Sequence, residues 1–141
     1  PKRFQTWIYA APLAESAEVE IDGSEIHDFC WIGVADAVAQ HEAGQLGMLP
    51  PTYITLCSLL RYPNTAAMTE AETQRSPHEV FPIFTKDDGA VAVLFEGDAE
   101  YAPEDHVSAD ARHRAVMHGT NWVYLHENVA AQYPAFVSNE T

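Results

Sequence analysis

The sequence predicts an α+β domain, and three observations carry that expectation. Apolar residues recur at helical spacing through the middle of the chain, while β-prone runs divided by tight-turn residues occupy both ends. The chain has 141 residues, 47% of them hydrophobic, enough for a core of its own. That composition sets aside a disordered chain and a disulfide-stapled miniprotein.

Each element has its own signal. Residues 3–11 carry Phe4, Trp7, Ile8 and Tyr9 and predict a first strand, ended by Pro12. Residues 13–24 are acidic and Gly-containing, a loop. Residues 25–32, with Ile26, Phe29, Trp31 and Ile32, predict a second strand whose imperfect alternation suits a bulge or an edge. From Val34 the period changes: Val34, Ala37, Val38 and His41 share one helical face, and Gly44 supplies the stop. Pro51 falls in the first turn of the next helix, where a missing amide proton costs nothing. Tyr53, Leu56, Leu59 and Leu60 form its stripe, and Pro63 closes it. Asn64 suits the N-cap of a short polar helix to about Arg75, with an irregular loop as the alternative.

The second half predicts antiparallel strands. Val80, Ile83 and Phe84 lead into Lys86-Asp87-Asp88-Gly89, a hairpin turn because Asp-Gly tolerates positive φ, and residues 90–95 return. Residues 96–110 form an acidic loop. Residues 113–118 and 122–126 flank Gly119-Thr120-Asn121 as a second hairpin, and the chain after Asn128 is expected to be a polar surface tail.

Charge narrows the function. Seven Lys and Arg face twenty-one Asp and Glu, a net −14 with seven His neutral. Such a surface repels phosphate backbones and anionic lipid, which argues against nucleic-acid backbone binding and peripheral membrane attachment. No apolar run has the length of a bilayer span, and no signal-peptide pattern opens the chain, so a cytoplasmic location is expected. Cys30 and Cys57 lack metal or redox spacing and read as reduced core thiols, with a disulfide or a nucleophile as the alternatives.

Residues that carry chemistry are sparse. The histidines form no HExxH or Cys/His cluster, and His41 reads as a hydrogen-bonded core edge. No Gly-x-Ser-x-Gly elbow occurs, and Gly44-Gln45-Leu46-Gly47 lacks the Lys and Ser or Thr of a phosphate loop. Asp87-Asp88 belongs to its turn, and Glu70 with Glu72 to a solvated face. Glu96 and Asp98 flank Gly97 at a strand end, either as a site or as a turn in which Asp98 bonds its own backbone.

The middle of the chain adds a resemblance. Trp31, then residues 35–46 as Ala-Asp-Ala-Val-Ala-Gln-His-Glu-Ala-Gly-Gln-Leu, then Met48-Leu49-Pro50-Pro51-Thr52 and Thr55-Leu56, resembles a segment of Nudix hydrolases. The branch is that of the acyl-coenzyme A diphosphatases. The opening Arg3-Phe4-Gln5-Thr6-Trp7-Ile8-Tyr9 is similar to the strand before this segment. Glu96-Gly97-Asp98-Ala99-Glu100-Tyr101 resembles a family Pro-Gly-Asp-x-x-Tyr loop with Glu96 in place of Pro, and His113-Arg114 with Trp122-Val123-Tyr124 its last hairpin. The signature itself, Arg-Glu-x-x-Glu-Glu-x-Gly, whose carboxylates bind the catalytic cation, matches no segment of the sequence.

The resemblance implies the C-terminal portion of a Nudix-like α/β/α sandwich with mixed or antiparallel strands and two to three helices, over residues 1–127, with 128–141 as the tail. It implies hydrolysis of a diphosphate linkage in a coenzyme A or nucleotide-diphosphate derivative, with Mg²⁺ or Mn²⁺ held by ligands outside this sequence. It also implies a partner, either a missing N-terminal Nudix segment or another subunit. The alternatives are a non-catalytic protein that keeps the scaffold for binding or assembly, and an unrelated enzyme. Pro50, Pro51 and Thr52 are substrate-side candidates because a rigid helix N-terminus favours an anion; a plain helix start is the competing reading. Gly97 and Asp98 are the other candidates.

Overall fold

Two tight hairpins organise the sheet of this protein. In the computed structural model, which describes residues 5–13, 18–102 and 107–137, three helices precede a four-stranded antiparallel sheet. The helices are α1 (Val34–Glu42), α2 (Pro50–Leu59) and α3 (Thr65–Thr73). The strands are β1 (Ile83–Asp87), β2 (Ala90–Leu94), β3 (Arg112–His118) and β4 (Asn121–Glu127). The sheet order is β1-β2-β3-β4, so every strand pairs with its chain neighbour. The architecture is α+β, as the sequence predicts.

Turn and cap residues set the boundaries. Asp88 and Gly89 form the two-residue loop between β1 and β2, both with positive φ, and Asp87 pairs with Ala90 across it. Pairing of His118 with Asn121 leaves Gly119 and Thr120 as the loop between β3 and β4. Pro50 opens α2. The Asn64 side chain accepts the Ala67 N–H at 2.9 Å, which caps α3.

The chain divides into two compact units, residues 1–31 and 32–141. In the second, α1 and α2 pack on each other and both touch β4. The core joins Val38 of α1 and Tyr53 and Cys57 of α2 to Val93, Phe95, Ala115 and Trp122. His41 welds this junction: its Nδ1–H donates to the Leu46 carbonyl at 2.8 Å, and its Nε2 accepts the Trp122 N–H at 3.0 Å. The Trp122 indole N–H donates to the Met48 carbonyl at 3.1 Å. His41 is thus the hydrogen-bonded core histidine that its position on α1 predicts.

Four expectations need correction, the first being that both cysteines lie in the core: Cys57 is buried, but Cys30 is exposed. Residues 5–11 and 25–32 form no strands, and residues 3 and 4 lie outside the described residues. Their β propensity is real, but a strand exists only through a ladder, and among the described residues these segments have none. The segment after Asn128 is no solvated tail in its described part. Phe136 and Val137 pack on the core, the His126 ring donates to the Tyr133 carbonyl, and Phe136 N–H donates to the Tyr124 hydroxyl. Its Ala-rich, polar composition hides two aromatic anchors, Tyr133 and Phe136.

Candidate functional site

The loop after β2 and the start of β3 gather the ionisable groups, and strand alternation divides them between the two faces of the sheet. Arg114 and His113 are sequence neighbours on β3 and therefore point in opposite directions.

On one face Arg114, 1% exposed, meets three carboxylates. Its Nε donates to Asp98 Oδ2 at 2.8 Å and its Nη2 to Asp98 Oδ1 at 2.6 Å, a bidentate pair. Nη1 reaches Asp87 Oδ2 at 2.9 Å and Nη2 also reaches Glu100 Oε1 at 3.1 Å. Asp98 additionally accepts the backbone N–H groups of His113 (2.8 Å) and Glu100 (3.0 Å). Burial alone would raise the Asp98 carboxyl, but the Arg114 hydrogen bonds and the two backbone donors outweigh it and hold the group below the usual carboxylate range. The hydrogen bonds that Arg114 donates to Asp98 in turn raise the guanidinium above its ordinary value. With this set of donors Asp98 is a structural anion, unsuited to accept a substrate proton.

Gly97 makes that anchor possible. Its φ is +91°, and a Cβ there would lie 2.7 Å from the Tyr133 ring. The loop therefore turns in a conformation open to glycine while Tyr133 closes over it.

On the opposite face lies His113, 3% exposed. Its Nδ1–H donates to the Glu96 carbonyl at 2.6 Å, which leaves Nε2 as the bare lone pair. That Nε2 is buried and has no hydrogen-bond partner. Burial, aided by repulsion from His126 and His78, pushes the imidazole down to about 4 against the opposing pull of the Glu96 carbonyl and Asp98. The ring packs against Phe136, His126, Phe95 and Tyr124 at centroid distances of 4.8–5.8 Å. It also lines a cleft of about 110 Å³ bounded by the β1 approach (His78, Phe81), Glu96 and the C-terminal segment (Tyr133, Phe136).

The substrate-side candidates therefore separate. Gly97 and Asp98 sit at the Arg114 anchor. Pro50, Pro51 and Thr52 form the first turn of α2, with Pro50 buried and Pro51 and Thr52 exposed; Leu49 is the N-cap, and its side chain makes no capping bond. Glu96, the other acid of the predicted loop, contributes its carbonyl to His113 while the residue itself faces solvent. Sequence reading missed the central roles of Arg114 and His113. A signal existed for Arg114, one of only seven cations and set in an apolar strand, where burial demands a carboxylate partner.

A catalytic Mg²⁺ or Mn²⁺ needs carboxylate oxygens free to bind it. Asp98, Asp87 and Glu100 instead surround a guanidinium that would repel the ion, so these residues do not fit one. Among the described residues no three His, Cys, Asp or Glu side chains are grouped to hold a metal. No described helix is long and apolar enough to cross a membrane. Comparison with protein-family models, curated proteins and solved structures returned no match.

Proposed function

We propose that this chain is the part of a Nudix-type hydrolase outside its signature helix, acting on a diphosphate linkage of a coenzyme A or nucleotide derivative together with a complementary segment or subunit. One observation carries this reading. In the unit of residues 1–31, Trp7, Ile8, Tyr9, Ile26, Phe29 and Trp31 are all at least half exposed and belong to no strand ladder. Trp7 and Tyr9, two residues apart, already stack their rings 6.3 Å apart, as side chains on one face of a strand would. A complement that supplied the ladder would bury these side chains at about 1.5–3 kcal/mol each. The resemblance sets such a complement, with the catalytic carboxylates, beside residues 3–11. Within this reading the first turn of α2 has a single amide to offer an anionic substrate group, the Thr52 N–H, since Pro50 and Pro51 carry none and the Tyr53 N–H donates to the Leu49 carbonyl.

A second reading, a scaffold that binds or assembles without catalysis, is favoured by the commitment of Asp98, Asp87 and Glu100 to Arg114. One experiment separates the two. The natural gene product is purified from its source, its intact mass and subunits are measured, and it is assayed for Mg²⁺-dependent hydrolysis of coenzyme A and nucleoside diphosphate derivatives. The hydrolase reading expects a species larger than this chain, or a second subunit, and cation-dependent turnover. A product of this mass alone, with no turnover, leaves the scaffold reading. Turnover by the 141-residue chain on its own would refute the need for a complement.

A further inference from the structure

The ring of His113 is covered in part by an element that no ladder holds. Among the described residues its ring contacts are with Tyr124 and His126 of β4, with Phe95, and with Phe136. Phe95 is tied to β3, because its N–H donates to the His113 carbonyl at 2.9 Å. Phe136, the closest of the four at 4.8 Å, belongs to the strap of residues 128–137. The strap leaves β4 at Asn128, where φ is +54°, and has no helix or strand of its own. None of its residues is fully buried. Side chains of other elements hold its backbone: the His126 ring donates to the Tyr133 carbonyl, Arg61 donates to the Phe136 carbonyl, and the Tyr124 hydroxyl accepts the Phe136 N–H. A segment held in this way opens at lower free energy than a packed ladder.

From this arrangement we propose that the strap is an acid-released cover: a proton on His113 Nε2 lifts residues 129–137 from the sheet and exposes the patch of Phe95 and Tyr124 against which Phe136 packs. The closed form has no place for that proton. Nδ1–H already donates to the Glu96 carbonyl, and Nε2 is buried without a partner. A proton there would be a buried charged donor with nothing to accept it, and water is the partner it needs. The strap is the cover free to move. His126 from β4 and His78 from the approach to β1 repel a charge on the ring, while Asp98, which accepts the His113 N–H, attracts it. Tyr124 and Tyr133 bring phenol groups, Glu79 and Glu96 are exposed, and Arg112 and Arg114 flank His113 on the other face of β3. Burial is the largest influence and holds the closed imidazole down to about 4. Opening returns the ring toward 6.5, so the open form binds the extra proton and gains as pH falls between those values. The inference stands independently of the diphosphate reading.

Hydrogen exchange followed by NMR on the full chain tests it, with rates corrected for the intrinsic pH dependence of amide exchange. The Phe136 amide is expected to be less protected than the ladder amides of β2 and β3 at every pH, which marks a local opening. Between pH 7.5 and 5 its protection is expected to fall about thirtyfold, the linkage limit for an opened ring with its ordinary value. His113→Phe is expected to abolish that fall, and His113→Gln, which cannot titrate either, answers the same question should the first variant not fold. His78→Asn is expected to keep it. The proposal is overturned if Phe136 is protected as strongly as the ladder amides, since the strap would then open only with the whole sheet. It is equally overturned if its protection does not fall in acid, if the fall survives the loss of His113, or if it vanishes in His78→Asn.

Discussion

Trp122 and Trp31 are the same side chain in opposite circumstances. Trp122 is 2% exposed, donates its indole N–H to Met48, and receives α1 through His41. Trp31 is 71% exposed, in a segment without a ladder. Both lie in runs rich in aromatic and β-branched residues, and both runs predict strands. The difference is supply of a neighbour. β4 has β3 within reach of a two-residue loop, whereas residues 25–32 have no second strand close in sequence among the described residues. Propensity proposes a strand; pairing makes it.

The contrast predicts where substitutions hurt. The largest effect belongs to Arg114→Met. Removing the guanidinium leaves Asp98 buried beside Asp87 and Glu100 without its cation, which is expected to cost about 3–5 kcal/mol in urea unfolding. A second substitution, Asp98→Asn in the same chain, is expected to recover part of that loss. If Arg114→Met alone is neutral, the buried pair is not what anchors the loop.

Acid comes next. The folded value of His113 lies near 4 against 6.5 for the free side chain, so between those values the unfolded chain binds the extra proton. Stability from this group is fully present above about pH 6.5 and falls as pH drops toward 4, by about 3 kcal/mol across the window. Asp98, depressed in the folded state, adds its loss at still lower pH, below the ordinary carboxylate value. Unfolding free energies between pH 7.5 and 4 check this, and His113→Phe is expected to flatten the slope over that range.

The smallest effect is expected in the unpartnered segment. Trp31→Ala is expected to change the stability of this chain by less than about 0.5 kcal/mol, because little is buried to lose. If a complement covers residues 1–31 in the natural protein, the same substitution is expected to weaken that assembly, which calorimetric titration of the two parts would measure. A large loss in the isolated chain would mean that Trp31 already has a home there.

Much of the fold was legible because its signals are local. Asp88-Gly89, Gly44, Pro at the start of α2 and the Asn64 cap each act within a few residues, and each stands where the pattern puts it. Strand existence at residues 5–11 and 25–32 was not legible, since it depends on a partner that the pattern does not name. The candidate site was legible only in outline. Gly97 and Asp98 stood out from their loop, yet the cation facing Asp98 comes sixteen residues later, across a strand pairing. His113 looked like one of seven scattered histidines, and only the register with Glu96 above it and Phe136 across from it gives it an environment. The aromatic strap was hidden by the polar residues around it.

The order β1-β2-β3-β4 also says something about time. Two of its three pairings close over two-residue loops, and such hairpins form in about 1–10 μs. The remaining pairing, β2 with β3, must gather residues 95–111, so most of the sheet's loop-closure entropy falls on that single joint. Arg114 and Asp98 meet only once that joint has closed. The β2–β3 joint, rather than either hairpin, is therefore expected to set how fast this sheet folds, and refolding kinetics of a variant shortened within residues 95–111 would check it.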